Sequence, residues 1–162
     1  MRNRDPAYRL GEELKKRGWT ISVAESCTAG GLASRITDVP GSSSYFLGGI
    51  VAYHNRIKEE LLAVPHSVIA RSGAVSKETA IAMAAGCKKS FGSDVSVGIT
   101  GVAGPGGGTP DKPVGLVYIA LAYPAGTECE RFRFRGARKA VRRSAVDAAL
   151  SMLNSLLERT DP

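Results

Sequence analysis

A run of β-branched and apolar residues, Trp19-Thr20-Ile21-Ser22-Val23, passes directly into Ala24-Glu25-Ser26-Cys27-Thr28-Ala29-Gly30-Gly31 and then into a helical stretch over residues 32–37. No other stretch limits the possible folds as much. A strand followed at once by a helix lays that helix on one face of a sheet, the first half of a β-α-β unit. A strand-to-helix turn also brings successive backbone N–H groups toward one point, where anions and developing oxyanions are favoured. Ser26 or Cys27 at that point is a candidate nucleophile with donors already in place. The same residues serve a plainer purpose with Ser26 or Thr28 as the helix N-cap and the glycines allowing close packing. Taken alone, the turn favours the plainer purpose, because Ser, Thr and Gly are ordinary at turns.

The rest of the chain alternates in the same way. Residues 7–17 carry Leu10 and Leu14 at helical spacing, with Pro6 suited to the first turn and Gly18 as a stop. Residues 39–44 form a loop, and residues 45–53 read as an approach followed by a buried strand. Asn55 caps a short helix over residues 56–62, and residues 68–74 read as irregular. Ser76 caps an alanine-rich helix that runs to about Phe91. A buried strand over 95–100 leads into a glycine- and proline-rich loop over 101–113. A long apolar strand over 114–123 and an alternating edge strand over 129–134 follow. The chain closes with an amphipathic helix over 138–158, with Val141, Ala145, Ala148, Met152 and Leu156 on one stripe, and residues 159–162 are expected to fray. This order predicts an α/β fold, a three-layer α/β/α sandwich with a mixed sheet, as one domain over residues 1–162.

Composition narrows the function. No apolar run approaches the roughly 18 residues of a membrane span, and Met1-Arg2-Asn3-Arg4-Asp5-Pro6 has no apolar segment behind it, so no secretory signal is expected. Three cysteines, Cys27, Cys87 and Cys129, without CxxC spacing argue against a disulfide framework or zinc site and for a reducing cytoplasm. The formal charge of +7 points to an anionic partner. Nucleic acid is disfavoured as that partner, because aromatics are 6% of the chain and no recognition motif is present. Much of the excess sits in Arg131, Arg133, Arg135, Arg138, Lys139, Arg142 and Arg143, where one or two arginines suffice to clamp a phosphate.

The glycine loop Ile99-Thr100-Gly101-Val102-Ala103-Gly104-Pro105-Gly106-Gly107-Gly108 follows a strand, as phosphate loops do. It has neither the Walker Lys-Ser/Thr nor the Rossmann third glycine, and Pro110 and Pro113 prevent the helix both need. What remains is a loop that lets backbone approach a ligand closely, with Thr100 at the strand's C-terminal end as the foremost contact. Gly41-Ser42-Ser43-Ser44 offers further hydroxyls. Lys58, near the start of a short helix, is a useful base only if burial or nearby cations lower its pKa, and by itself reads as a surface lysine. His54 and His66 are the only histidines; His66 reads as structural or exposed, and no metal-ligand spacing appears.

Together these stretches resemble one family. Ala24-Glu-Ser-Cys-Thr-Ala-Gly-Gly31, Pro40-Gly-Ser-Ser43, Val51-Ala-Tyr-His-Asn55 with Lys58, Gly73-Ala-Val-Ser76, Ile99-Thr-Gly-Val-Ala-Gly-Pro105 and Lys112-Pro-Val-Gly115 are similar to the CinA C-terminal domain family, over about residues 21–148. That family contains the nicotinamide mononucleotide (NMN) deamidases, and the chain looks like a stand-alone form without the extra N-terminal domain of larger members. The resemblance implies hydrolysis of the NMN carboxamide to nicotinate mononucleotide and ammonia, with no cofactor or metal. It places the nucleophile on Ser26, proton transfer on Lys58 and further catalytic roles on Ser43 and Tyr53. Thr28, Gly30, Thr100 and Gly101 are then expected around the substrate, with Arg138, or Arg142 as the fallback, near the phosphate. Ala29 stands where many members have glycine, a change expected not to matter because alanine is small. His54 is given no role. Cys27, with Glu25 and Lys58 as partners, stays open as the other nucleophile. A non-enzymatic anion- or nucleic-acid-binding protein is the alternative function, supported chiefly by the charge. A homo-oligomer such as a dimer is expected of the Ala-rich stretch 79–86 and the exposed strand edge.

Overall fold

The structure, a computed structural model, describes residues 5–160. Residues 1–4, and residues 161–162 of the expected frayed end, lie outside the described residues. Six helices and five strands follow in the order α1 (Pro6–Arg17), β1 (Ile21–Glu25), α2 (Gly31–Thr37), β2 (Phe46–Val51), α3 (Asn55–Leu62), α4 (His66–Ser72), α5 (Lys77–Phe91), β3 (Val95–Gly101), β4 (Leu116–Tyr123), β5 (Gly126–Arg133) and α6 (Arg138–Arg159). The sheet order is β2-β1-β3-β4-β5. β2, β1 and β3 are parallel, while β4 and β5 run antiparallel to their neighbours. Helices cover both faces, so the expected mixed-sheet α/β/α sandwich is what forms. None of the described helices is long and apolar enough to cross a membrane.

Strand parity sorts the two faces by size. Ile21 and Val23, Val95, Val97 and Ile99, and Val117, Ile119 and Leu121 all point to the face covered by α1, α2 and α6, where they form the main core. Their alternates, Ser22, Ala24, Ser96, Gly98 and Ala120, point to the face covered by α5. These small residues let α5 approach closely: a Cβ on Gly98 would lie 2.4 Å from the Ala80 carbonyl oxygen. Ala80 and Ala84 of α5 are fully buried against the sheet, while Ala85 is exposed. Among the described residues, the exposed large apolar ones are Leu47 and Val51 on β2, Tyr53 after it and Leu61 on α3.

Four local readings need correction. β2 is an edge strand whose residues alternate between half-buried and exposed, because an apolar run does not reveal whether a strand has one neighbour or two. Residues 68–74 are not irregular: α4 covers most of them, beginning at His66 directly after Pro65. His54, not Asn55, caps α3, its Nδ1 accepting from the Arg56 N–H at 3.1 Å. Neither Ser26 nor Thr28 caps α2. Gly30 occupies that position without a side chain, and the carboxylate of Glu25 accepts from the N–H groups of Leu32 (3.0 Å) and Ala33 (2.9 Å). Glu25 sits on the odd, main-core face of β1 and is 1% exposed, so it meets α2 from beneath. Its charge and the helix's unpaired donors satisfy each other. Glu25→Gln is expected to cost about 2 kcal/mol, read as a lower urea midpoint with an unchanged slope, because the amide's NH₂ would face those donors.

The chain crosses from β1 to β2 on one side and returns over β1 to β3 on the other. The C-terminal ends of β1 and β3 therefore flank the point where the winding reverses, the place where open α/β sheets bind ligands.

Candidate active site

Ser26 stands at that point. Its N–H donates to the Ile99 carbonyl at 3.0 Å, extending the β1–β3 ladder one residue beyond the strand. Parity therefore still holds at this position. Ser26 continues the series Ser22, Ala24 and faces the α5 side, whereas Cys27 turns into the main core with α6. On the α5 side, α3 brings in Lys58. Its Nζ lies 3.2 Å from Ser26 Oγ, 2.7 Å from the Ala52 carbonyl oxygen and 3.3 Å from that of Tyr53. Lys58 is 1% exposed, the reverse of a surface lysine. Burial holds its pKa below the ordinary 10.5; the counteracting pull of Cys27 requires a thiolate. That thiolate is absent near neutrality, because burial pushes the Cys27 thiol up to about 11. Nζ donates to all three oxygens, and on losing a proton it would keep two N–H donors for the carbonyls and offer a lone pair to Ser26.

The pair opens into a cleft of 270 Å³ that Cys27, Tyr53, Asn55, Thr100, Gly101 and Arg138 also line. The Thr100 hydroxyl donates to the Ala74 carbonyl at 2.7 Å, and Ser76 and Thr79 both bond the Gly73 carbonyl, fixing that wall. Arg138 crosses the mouth. Its guanidinium donates to the Gly104 carbonyl (2.9 Å) and to Tyr53 Oη (2.7 Å), which leaves further N–H groups free. Two of the larger depressions, of 650 and 550 Å³, lie by Lys88 and Tyr123 and by Phe132 and Met152. Neither contains a nucleophile beside a base, so chemistry and not size selects the cleft.

The remaining expectations divide. Ser43 is not brought to the cleft. It lies exposed in a 3₁₀ turn, Ser42–Ser44, ahead of β2. Because β2 runs parallel to β1 and Phe46 pairs with Ile21, Ser43 sits beyond the opposite edge of the sheet, roughly 16 Å of strand from Ser26. Thr28, Gly30 and Arg142 also lie outside the cleft lining. Arg142 donates to the Thr28 carbonyl at 3.1 Å and braces the turn from behind. Between the two arginines offered for the phosphate, Arg138 is the one at the mouth. The helix end is not free to receive an oxyanion either, since Glu25 occupies its donors. The available groups are the Cys27 and Thr28 N–H groups, which bond no other residue among the described residues. Ala29 is held in the left-handed region, φ 48°, so the relevant property there is backbone conformation rather than size. Asn55, read as a cap, is a cleft residue that the sequence argument missed. Its place within Tyr53-His54-Asn55 beside Lys58 was the available signal.

Cys27 packs in the main core, and burial raises its thiol pKa to about 11. Cys27→Ser is expected to lose about 1–3 kcal/mol of stability yet keep turnover within a few-fold, measured by melting and by steady-state rates on the same preparation.

The model of the CinA C-terminal domain matches residues 3–157. The chain belongs to the CinA C-terminal domain family. A putative competence-damage inducible protein of Desulforudis audaxviator is 54% identical over 154 residues, covering 95% of the chain and 37% of that protein. A CinA-like protein of Desulfotalea psychrophila is 49% identical over 148 residues, covering 91% and 36%. The chain thus spans about a third of the length of these relatives. Among solved CinA structures, the competence/damage inducible protein of Agrobacterium tumefaciens superposes with a TM-score of 0.93 at 35% identity, covering 98% of this chain and 97% of that one. A CinA superfamily protein from Klebsiella pneumoniae gives 0.92 at 32%, covering 96% and 97%. The CinA fold therefore extends over the residues that build the cleft.

Proposed function

We propose that this CinA domain is an amidohydrolase that converts the carboxamide of NMN to a carboxylate, releasing ammonia, through a Ser26–Lys58 dyad. One observation carries the reading: a buried lysine with lowered pKa stands 3.2 Å from a serine hydroxyl at the mouth-facing end of β1. A lysine is rarely buried without a charged partner, and none of the ion pairs among the described residues includes Lys58. Structural need does not account for the pair; proton transfer does.

In the proposed sequence, Ser26 Oγ attacks the carboxamide carbon as its proton passes to Lys58 Nζ. The oxyanion is received by the Cys27 and Thr28 N–H groups. Lys58 returns the proton to the leaving nitrogen, ammonia departs and an ester on Ser26 remains. Lys58 then takes a proton from the water that attacks the ester and passes it to Ser26 Oγ as the acyl bond breaks, which frees the carboxylic acid, ionised in water, and restores the dyad. These steps draw on side chains and backbone alone. Arg138, with unused N–H groups at the mouth, is suited to the substrate phosphate, and Tyr53 Oη holds it there. The cleft volume, near the lower end of ligand pockets at about 300 Å³, suits one small molecule rather than a polymer. A binding-only role leaves the buried Ser–Lys pair unexplained. Ammonia release from NMN, nicotinamide riboside and nicotinamide, compared side by side, tests the reading. NMN is expected to be the preferred substrate, and no release from any of the three would refute it.

A further inference from the structure

A second cavity, of 370 Å³, lies between the start of α2 and the first turns of α6. It shares no lining residue with the Ser26 cleft. Four cations, Arg35, Lys139, Arg142 and Arg143, face one carboxylate, Asp147. Arg35 is engaged by Asp5 at 2.7 Å and Asp38 at 3.8 Å. Among the described residues no ion pair holds Lys139, Arg142, Arg143 or Asp147. Three unpaired cations against one carboxylate leave a surplus of two positive charges. A phosphate monoester carries about −1.5 to −2 near neutrality.

Two buried polar atoms without a hydrogen-bond partner belong to residues of this same lining, Arg142 Nε and Thr28 Oγ1. Both atoms are sealed beneath the cavity surface, so the donors open to an oxyanion are the terminal N–H groups of Lys139, Arg142 and Arg143. The cavity is larger than a bare ion needs and falls within the range of small-molecule pockets, about 300–1,000 Å³. We infer that it is a second anion site, taking a phosphate-bearing small molecule and distinct from the cleft of Ser26 and Lys58. The turn from Ser26 to Gly31 forms the wall between the two.

The test is calorimetric titration of the full chain with inorganic pyrophosphate at about 0.15 M salt, where loose surface attraction is screened. The wild type is expected to bind, and the Lys139→Ala/Arg143→Ala variant to bind at least about tenfold more weakly. Arg131→Ala/Arg133→Ala, which removes two exposed charges elsewhere on β5, is expected to bind within about twofold of wild type; Arg138→Ala, which removes the group proposed to hold substrate phosphate, is expected to lose any cleft binding but to keep the event that Lys139→Ala/Arg143→Ala weakens. All these side chains are exposed, so an unchanged melting temperature accompanies each titration. Absence of binding by the wild type overturns the inference. So does equal weakening in the β5 variant, which would mean bulk charge, or loss of that event in Arg138→Ala, which would place the anion in the cleft.

Discussion

Ser26→Ala is expected to reduce ammonia release from NMN by on the order of 10⁴- to 10⁶-fold, the scale on which nucleophile removal acts in hydrolases that form an acyl-enzyme. The fold should survive. Ser26 contributes no apolar packing, and its hydroxyl has one side-chain contact, Lys58 Nζ. Lys58 keeps the Ala52 and Tyr53 carbonyls as partners. The change in stability should therefore stay within about 1 kcal/mol, measured by urea unfolding alongside the rate. A variant turning over within tenfold of wild type would remove Ser26 from the mechanism. Cys27 is not expected to inherit the role, since burial pushes its thiol up to about 11 and the residue packs into the main core.

The second large effect concerns Lys58. Replacement by methionine, of similar length and without a base, should lower kcat by about 10³- to 10⁴-fold. Replacement by arginine should be equally damaging, although it keeps a positive charge. A guanidinium does not give up its proton at any accessible pH, so this pair of variants separates proton transfer from simple electrostatic stabilisation. The wild-type kcat/KM should rise with pH along a limb whose midpoint lies below the ordinary lysine value of 10.5, because burial favours the neutral amine. Stability carries the same signature. Between the folded and unfolded pKa values the unfolded chain binds the extra proton, so stability rises with pH across that window. The penalty of burying the charged form is fully present below the folded pKa. Lys58→Met should lack this rise. A Lys58→Arg enzyme retaining more than about a tenth of the wild-type rate would defeat the assignment.

Much of the fold was legible because hydrophobic periodicity is local. The five strands and the helices α1, α5 and α6 follow from spacing that neighbouring residues settle among themselves. The misread segments are those whose state depends on distant partners. β2 has the composition of a buried strand but only one neighbour. α4 is a seven-residue helix too short for periodicity to show. The α2 cap comes from Glu25, a strand residue seven and eight positions before the donors it satisfies, outside any local capping pattern.

The site divides along the same line. By itself the amino-acid sequence determined that a turn carrying Ser26 and Cys27 follows a buried strand, that Thr100 and Gly101 end another, and that no phosphate loop of a known spacing is present. Tertiary structure alone decided which of these meet. It joined Ser26 to Lys58 across 32 residues of chain and buried a lysine that composition would leave in solvent. It set Ser43 beyond the far edge of the sheet and sent Arg138 and Arg142 to different cavities from adjacent turns of one helix. The physical reason is direction. Spacing fixes which residues share a face, but the pKa of an amine and the partner of a hydroxyl depend on what other elements pack against that face. At Ala24 to Gly31, strand parity turns Ser26 toward α3 and its lysine and Cys27 toward the core, which favours the oxygen in the proposed mechanism.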